Sequence, residues 1–293
     1  MTGNETEMNI SQLHISRRTL TVAAALVGVV SLAIGAHAAL NKRALDAAKA
    51  ISTEQDASSV KRISRLALVI GNGHYPDASA PLTQPINDAR ALTASLRRNG
   101  FDVDVVEDAS KDDMTRAIGR LKSRIKPDSV VMLFFGGYGV QAGRESYMIP
   151  VDAAIWKESD VRRDGVSIES VLDMLKEQGA KAKLVVVDAS RRNPYERRFR
   201  TFSHGLAPID ASDNALILSS ATPGKVADDS KGQHSVLMTE LLANLNAQVA
   251  GAETAFNKTR VAISRASDGE QVPSVSSSLL EDVSFANAEK AGG

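Results

Sequence analysis

The chain predicts an α/β fold, a three-layer sandwich in which a mostly parallel central sheet carries helices on both faces. Three observations lead there. Short apolar runs such as Leu133-Phe134-Phe135 and Leu184-Val185-Val186-Val187 lack the alternation of a half-exposed strand, and so read as strands buried on both faces. Segments of helical period separate these runs, and a strand–helix–strand rhythm means βαβ units around a parallel sheet. Two of the runs stop abruptly at small residues followed by one polar side chain, Tyr138 in the first and Ser190 in the second. In open α/β sheets, ligand-binding and catalytic groups collect beyond the carboxyl ends of such strands.

The elements follow in order. Leu66–Ile70 is a buried strand ending at Gly71-Asn72-Gly73, and a loop with three prolines leads to a helix from about Asn87. Ala89, Leu92 and Leu96 share one face of that helix and Gly100 stops it. Phe101–Val106 alternates apolar with acidic residues and suits a less buried strand. Ser110-Lys-Asp-Asp113 opens the next helix as an Asp form of the capping box, with Met114, Ile118, Leu121 and Ile125 as its apolar stripe. Val130–Phe135 is the third strand. Ser167 caps a helix carrying Ile168, Val171, Leu172 and Leu175, which Gly179 ends. Leu184–Val187 and Ala215–Leu218 are strands, Ser235–Asn246 and Glu253–Ser267 helices, and the stretch from Val272 to Phe285 returns an edge strand.

Composition narrows the function. The 293 residues hold 35 basic and 35 acidic side chains, so no net field steers nucleic acid or an anionic surface. Cysteine is absent, which excludes disulfides, thiolate metal sites and thiol nucleophiles. The five histidines form no His-x-x-x-His pattern, and no metal or other cofactor is implied. No Gly-x-x-x-x-Gly-Lys or Gly-x-Gly-x-x-Gly follows a strand, so the glycines around Tyr138 are not those of a nucleotide loop.

Residues 1–38 stand apart. Ser16-Arg17-Arg18-Thr19-Leu20 precedes an apolar stretch ending in Ala36-His37-Ala38, the charged, apolar, small-residue order of an export signal. The paired arginines resemble a twin-arginine signal of a bacterial protein. Leu20–Leu40 also approaches the roughly 20 residues that span a bilayer, so a cleaved signal and a retained anchor both remain open. Either puts the following domain outside the cytoplasm, in the periplasm or held on the inner membrane. Residues 39–64 read as a short helix and linker, 65–285 as the domain, and 286–293 as a tail.

Six segments, Ala67–Asn72, Gln84–Ala89, Phe134–Gln141, Tyr147–Ala153, Val187–Pro194 and Ala221–Gly224, together with Gln271-x-Pro273, resemble in order and spacing the caspase and metacaspase peptidases, notably bacterial caspase-like proteins. The resemblance implies a caspase-like sandwich and a cysteine-type peptidase ancestry. It implies that Tyr138 stands where the family has its catalytic histidine and Ser190 where it has its cysteine. Serine needs a positioned base, and a tyrosine with a pKa near 10 is a protonated donor at neutral pH. The expectation is a pseudo-enzyme that turns over peptides negligibly. The alternative is a weak serine hydrolase using Ser190, cleaving after Arg or Lys, with His74, His204 or His234 as a relocated base.

In the metacaspase branch, the positions of Asp88 and Asp188 line a pocket for a basic side chain, and two carboxylates suit a guanidinium. The other reading of these residues is structural: Asp188 accepts loop amides and Asp88 caps its helix. Arg191, Arg192, Arg197, Arg198 and Arg200 crowd one loop around Tyr195 and Phe199, read either as solvated or as a partner surface. The implied partners are a peptide or protein with a basic residue, or an active caspase-like relative. Membrane contact is expected only through the N-terminal segment.

Overall fold

The computed structural model describes residues 63–76, 81–192, 194–195, 205–227, 232–246 and 251–285. Residues 1–62, with the expected export signal, anchor and linker, and the tail 286–293 lie outside the described residues, as do His204, Arg197, Arg198, Phe199 and Arg200.

The elements run β1 (Arg65–Gly71), α1 (Gln84–Arg98), β2 (Asp102–Glu107), α2 (Lys111–Arg124), β3 (Val130–Gly136), β4 (Gly139–Ala142), β5 (Glu145–Met148), α3 (Glu158–Asp164), β6 (Val166–Ser167), α4 (Ile168–Glu177), β7 (Ala182–Asp188), β8 (Ala215–Ser219), α5 (Val236–Asn246), α6 (Ala252–Ala266) and β9 (Ser274–Ser277). The main sheet has the order β2-β1-β3-β7-β8-β9. Its pairings are parallel except for β9, which returns antiparallel against β8 as the edge strand expected between Val272 and Phe285. The strand order reverses between β1 and β3, so the crevice at their carboxyl ends is the topological switch point.

Alternate residues of the central strands enter opposite layers. Val69, Phe134, Val186 and Leu218 pack with Leu92 and Leu96 of α1, Leu241 of α5 and Phe256 of α6. Leu68, Ile70, Phe135 and Val187 pack with Met114 and Leu121 of α2 and Leu172 and Leu175 of α4. β3 and β7 are buried along their whole length. At about 1.5–3 kcal/mol per fully buried large apolar side chain, these layers fix the strand ends that carry the site.

The capping box at Ser110 forms in both directions, Ser167 caps α4, and Gly179 takes φ +74° beyond that helix. Two local readings change. The first helix begins at Gln84 rather than near Asn87, because Pro85 falls in its first turn, where its missing N–H leaves no bond unmade. The segment after β3 folds into a small antiparallel sheet, β4-β5-β6, with α3 inserted before its last strand.

Candidate functional site

The site lies where β1, β3, β7 and β8 end. Register puts Gly71 beside Gly136, and Gly136 beside Asp188. The two loops that leave β3 and β7 are joined through their backbones. Gly137 N–H donates to Asp188 O at 3.3 Å, and Gly139 N–H to Ala189 O at 3.1 Å. Both glycines are required by this contact. A Cβ on Gly139 would sit 2.9 Å from Ala189 O; one on Gly137, whose φ is +156°, would sit 2.6 Å from Tyr75 Oη. Tyr138 and Ser190 are therefore held on adjacent loops.

Tyr138 is half-buried, and Tyr75 organises it. Tyr138 N–H donates to Tyr75 Oη at 3.0 Å, and Tyr75 O–H donates to Ile149 O at 2.9 Å. The two rings meet edge to face at 4.8 Å between centroids. Burial pushes the Tyr75 phenol far above its ordinary value, so it stays a neutral donor. Asn72, fully buried at the end of β1, accepts from Ala109 N–H at 2.8 Å and donates to Ile149 O at 3.1 Å. It ties the first strand end to the loop after β2 and the exit of β5. Neither Tyr75 nor Asn72 was singled out in the sequence as a site residue.

Ser190 is only 1% exposed. Its N–H donates to Ser220 Oγ at 3.3 Å and its carbonyl accepts from Ala227 N–H at 2.6 Å. Ser220 is in turn braced by Gln271, whose Nε2 donates to Ser220 O at 3.0 Å. The Gln271-x-Pro273 segment thus acts on the Ser190 loop through the end of β8.

Asp88 and Asp188 converge at this edge, each buried and each within the other's electrostatic reach. Asp88 does not cap its own helix. It faces the start of α5, where Ser235 N–H donates to Oδ2 at 3.2 Å and His234 Nδ1 lies 2.8 Å from Oδ1. An ionised carboxylate only accepts, so Nδ1 carries the proton in this bond. Burial and then the negative charge of Asp188 push the Asp88 carboxyl up to about 6, against the lowering effect of the His234 and Ser235 hydrogen bonds. Nor, among the described residues, does a loop amide reach Asp188 Oδ2, which has no hydrogen-bond partner there. Asp188 Oδ1 lies 3.9 Å from Arg191 Nη2.

Arg191 corrects another expectation. The solvated-loop reading holds for Arg192, which is exposed. Arg191 is 3% exposed and its Nε–H donates to Gly137 O at 3.2 Å, which straps the β7 loop to the β3 loop. Tyr195 is buried as well, packed with Tyr75, Val140 and Ile149.

His74 belongs elsewhere. Its Nδ1 lies 2.5 Å from Asp108 Oδ2, while Asp108 Oδ1 accepts from the Gly73 and His74 amides at 2.8 and 2.9 Å. Asp108 follows β2, on the far side of β1 from β7. Strands are spaced about 4.8 Å apart, so β7, two strands from β1, lies about 10 Å away, and the Asp108 bond turns the ring toward β2. Of the three candidate bases, His234 alone is seen bonded at the Asp88–Asp188 edge, and His204 lies outside the described residues.

Comparison with known proteins agrees with this geometry. Residues 64–284 match the family model described as Caspase domain. The chain is 26% identical over 133 residues to the human mucosa-associated lymphoid tissue lymphoma translocation protein 1, covering 45% of this chain and 16% of that protein. It is 27% identical over 136 residues to the mouse homolog, with the same shares. The chain therefore matches about a sixth of the length of these curated relatives. With the family match spanning the whole α/β unit and the paired strand ends in place, this chain belongs to the caspase-domain family.

Proposed function

We propose that this caspase-family domain is a pseudo-protease, exported from the cytoplasm, that works as a peptide-binding or regulatory module. The observation that supports the reading is the identity of the two residues on the joined loops, Tyr138 and Ser190, which this proposal takes as the family's histidine and cysteine positions, in a chain without cysteine. A buried serine beside a tyrosine has neither the intrinsic nucleophilicity of a thiol nor a base to compensate. In subtilisin, losing the nucleophile or the base alone costs about a millionfold in turnover.

The binding half of the proposal rests on Asp88 and Asp188. Two convergent buried carboxylates, one with an acceptor oxygen unmet among the described residues, suit the basic side chain of a peptide or protein partner. An active caspase-family relative that presents such a residue fits the same chemistry. The test is incubation of the full-length chain with peptides containing Arg or Lys. No cleavage above background is expected, whereas cleavage that disappears in Ser190→Ala would overturn the reading.

One observation favours a second reading, a weak serine hydrolase. A carboxylate bonded to Nδ1 of His234 orients that ring as a base-bearing imidazole. That reading requires covalent labelling of Ser190 by a fluorophosphonate and its loss in His234→Ala; the 1% exposure of Ser190 argues against it.

A further inference from the structure

Resting on the peptide-binding reading, we infer that Arg191 is an internal ligand of the acidic pair, a side chain of the protein's own that occupies the place of the partner's basic residue and must be displaced before the partner binds.

Three features meet at this side chain. The first is position. The guanidinium bridges the two loops of the site, Nε to Gly137 O at 3.2 Å on one side and Nη2 toward Asp188 Oδ1 at 3.9 Å on the other. A ligand side chain that pairs with Asp188 competes with this guanidinium, because Arg191 and Asp188 are 3% and 4% exposed and lie 3.9 Å apart.

The second is the quality of the fit. An Arg–carboxylate pair is strongest as a fork with two N–H···O bonds of about 2.7–2.9 Å. Arg191 and Asp188 are three residues apart on one turn of chain, and the 3.9 Å separation is an ion pair without a hydrogen bond. Asp188 Oδ2 meanwhile has no hydrogen-bond partner among the described residues. Truncating one partner of a buried pair is normally destabilising because a charge is stranded. Exchanging one guanidinium for a better-aimed one gives up the Arg191 bond to Gly137 O but keeps a cation on Asp188 and satisfies its unmet oxygen.

The third is place in the chain: Arg191 is the last buried residue before the exposed Arg192. His234 on Asp88 completes the pair: each carboxylate of the pocket already faces a basic side chain of this chain. Among the described residues, Asp188 at the end of β7 faces Arg191, and its charge reaches Asp88 of α1.

The experiment is calorimetric titration of the full-length chain with acetyl-Gly-Gly-Arg-amide and its norleucine counterpart. Wild type, Arg191→Met and Arg191→Met/Asp188→Asn are compared, Met keeping the apolar stem. Arg191→Met is expected to bind the Arg peptide at least tenfold tighter than wild type, with that gain lost when Asp188→Asn is added. Binding by wild type that is unchanged or weakened in Arg191→Met overturns the inference and leaves the peptide-binding reading standing. Absence of Arg-selective binding in all three chains overturns both. Should Arg191→Met not fold, the Arg191 Nε–H resonance of ¹⁵N-labelled wild type gives the answer. It is expected to lose its exchange protection at peptide saturation, and retained protection in the saturated complex overturns the inference.

Discussion

Replacing Asp88 with Asn should stabilise the domain progressively as pH rises. Asp88 is fully buried, and although it accepts from His234 and Ser235, burial and the charge of Asp188 win and lift its carboxyl from 3.8 to about 6. A carboxyl whose folded value exceeds its unfolded value binds more protons in the folded state. Its favourable contribution is complete below 3.8, declines between 3.8 and 6, and is gone above 6. Asn has the shape of the neutral acid and never ionises, so groups common to both chains cancel in the difference. At about 1.4 kcal/mol per pH unit, wild type should fall behind Asp88→Asn by about 0.6 kcal/mol at pH 4, about 1.6 at pH 5 and about 3 at pH 8, beyond any constant offset. Urea unfolding of both full-length chains at these pH values measures it. A pH-independent difference would refute the reasoning. So would wild type gaining on Asn with rising pH, since the His234 contact would then outweigh burial and the Asp188 charge.

Other consequences can be checked more directly. Gly137→Ala should lower stability by about 1–3 kcal/mol in the same unfolding assay, because its Cβ would meet Tyr75 Oη at 2.6 Å on a backbone with φ +156°; an unchanged midpoint would show that the β3 loop yields freely. Ser110→Ala breaks the reciprocal cap of α2 and should cost about 1 kcal/mol; a loss below a few tenths would assign the helix end to packing alone. For export, a reporter fused after Gly293 should read as outside the cytoplasm, and the paired replacement Arg17→Lys, Arg18→Lys should hold it inside. A cytoplasmic signal from the unmodified fusion would sink the export proposal, and unchanged export of the replaced chain would remove the twin-arginine route.

Legibility followed burial. Strands β1, β3, β7 and β8 are buried on both faces, so packing demands continuous apolar runs and the pattern stands out. The caps at Ser110 and Ser167 were readable because a side chain does the work locally. The small sheet was less so: strands of four, four and two residues carry too few positions for a period of two to show, although the Tyr147–Ala153 resemblance marked a strand there. At the site, the convergence of Asp88 with Asp188 was visible because helix start and strand end share one edge. Their partners were not. Arg191 among several loop arginines looks like a solvated charge, and only the fold shows that it turns inward to Gly137 O. Likewise Asp88 reads as a cap for its own helix, whereas its acceptor is used by a helix that begins about 150 residues later.

The same contacts explain what joins the two strand ends of the site. The β3 and β7 loops are joined by Gly137 N–H to Asp188 O and Gly139 N–H to Ala189 O, bonds that involve no side-chain atom at 138 or 190. Steric demand falls on the flanking glycines, where an added Cβ would strike Tyr75 or Ala189, and on Asn72 and Tyr75, whose polar atoms hold neighbouring backbone. Those are the residues that folding constrains. Tyr138 lies half-buried against the Tyr75 ring, a place where an aromatic side chain packs well, and Ser190 is anchored through its own N–H and C=O. What stability demands at these positions is size and packing, an aromatic ring on Tyr75 at 138 and a small side chain at the buried 190. A match to the family reports the fold, while the chemistry has to be read from the side chains that stand at the strand ends.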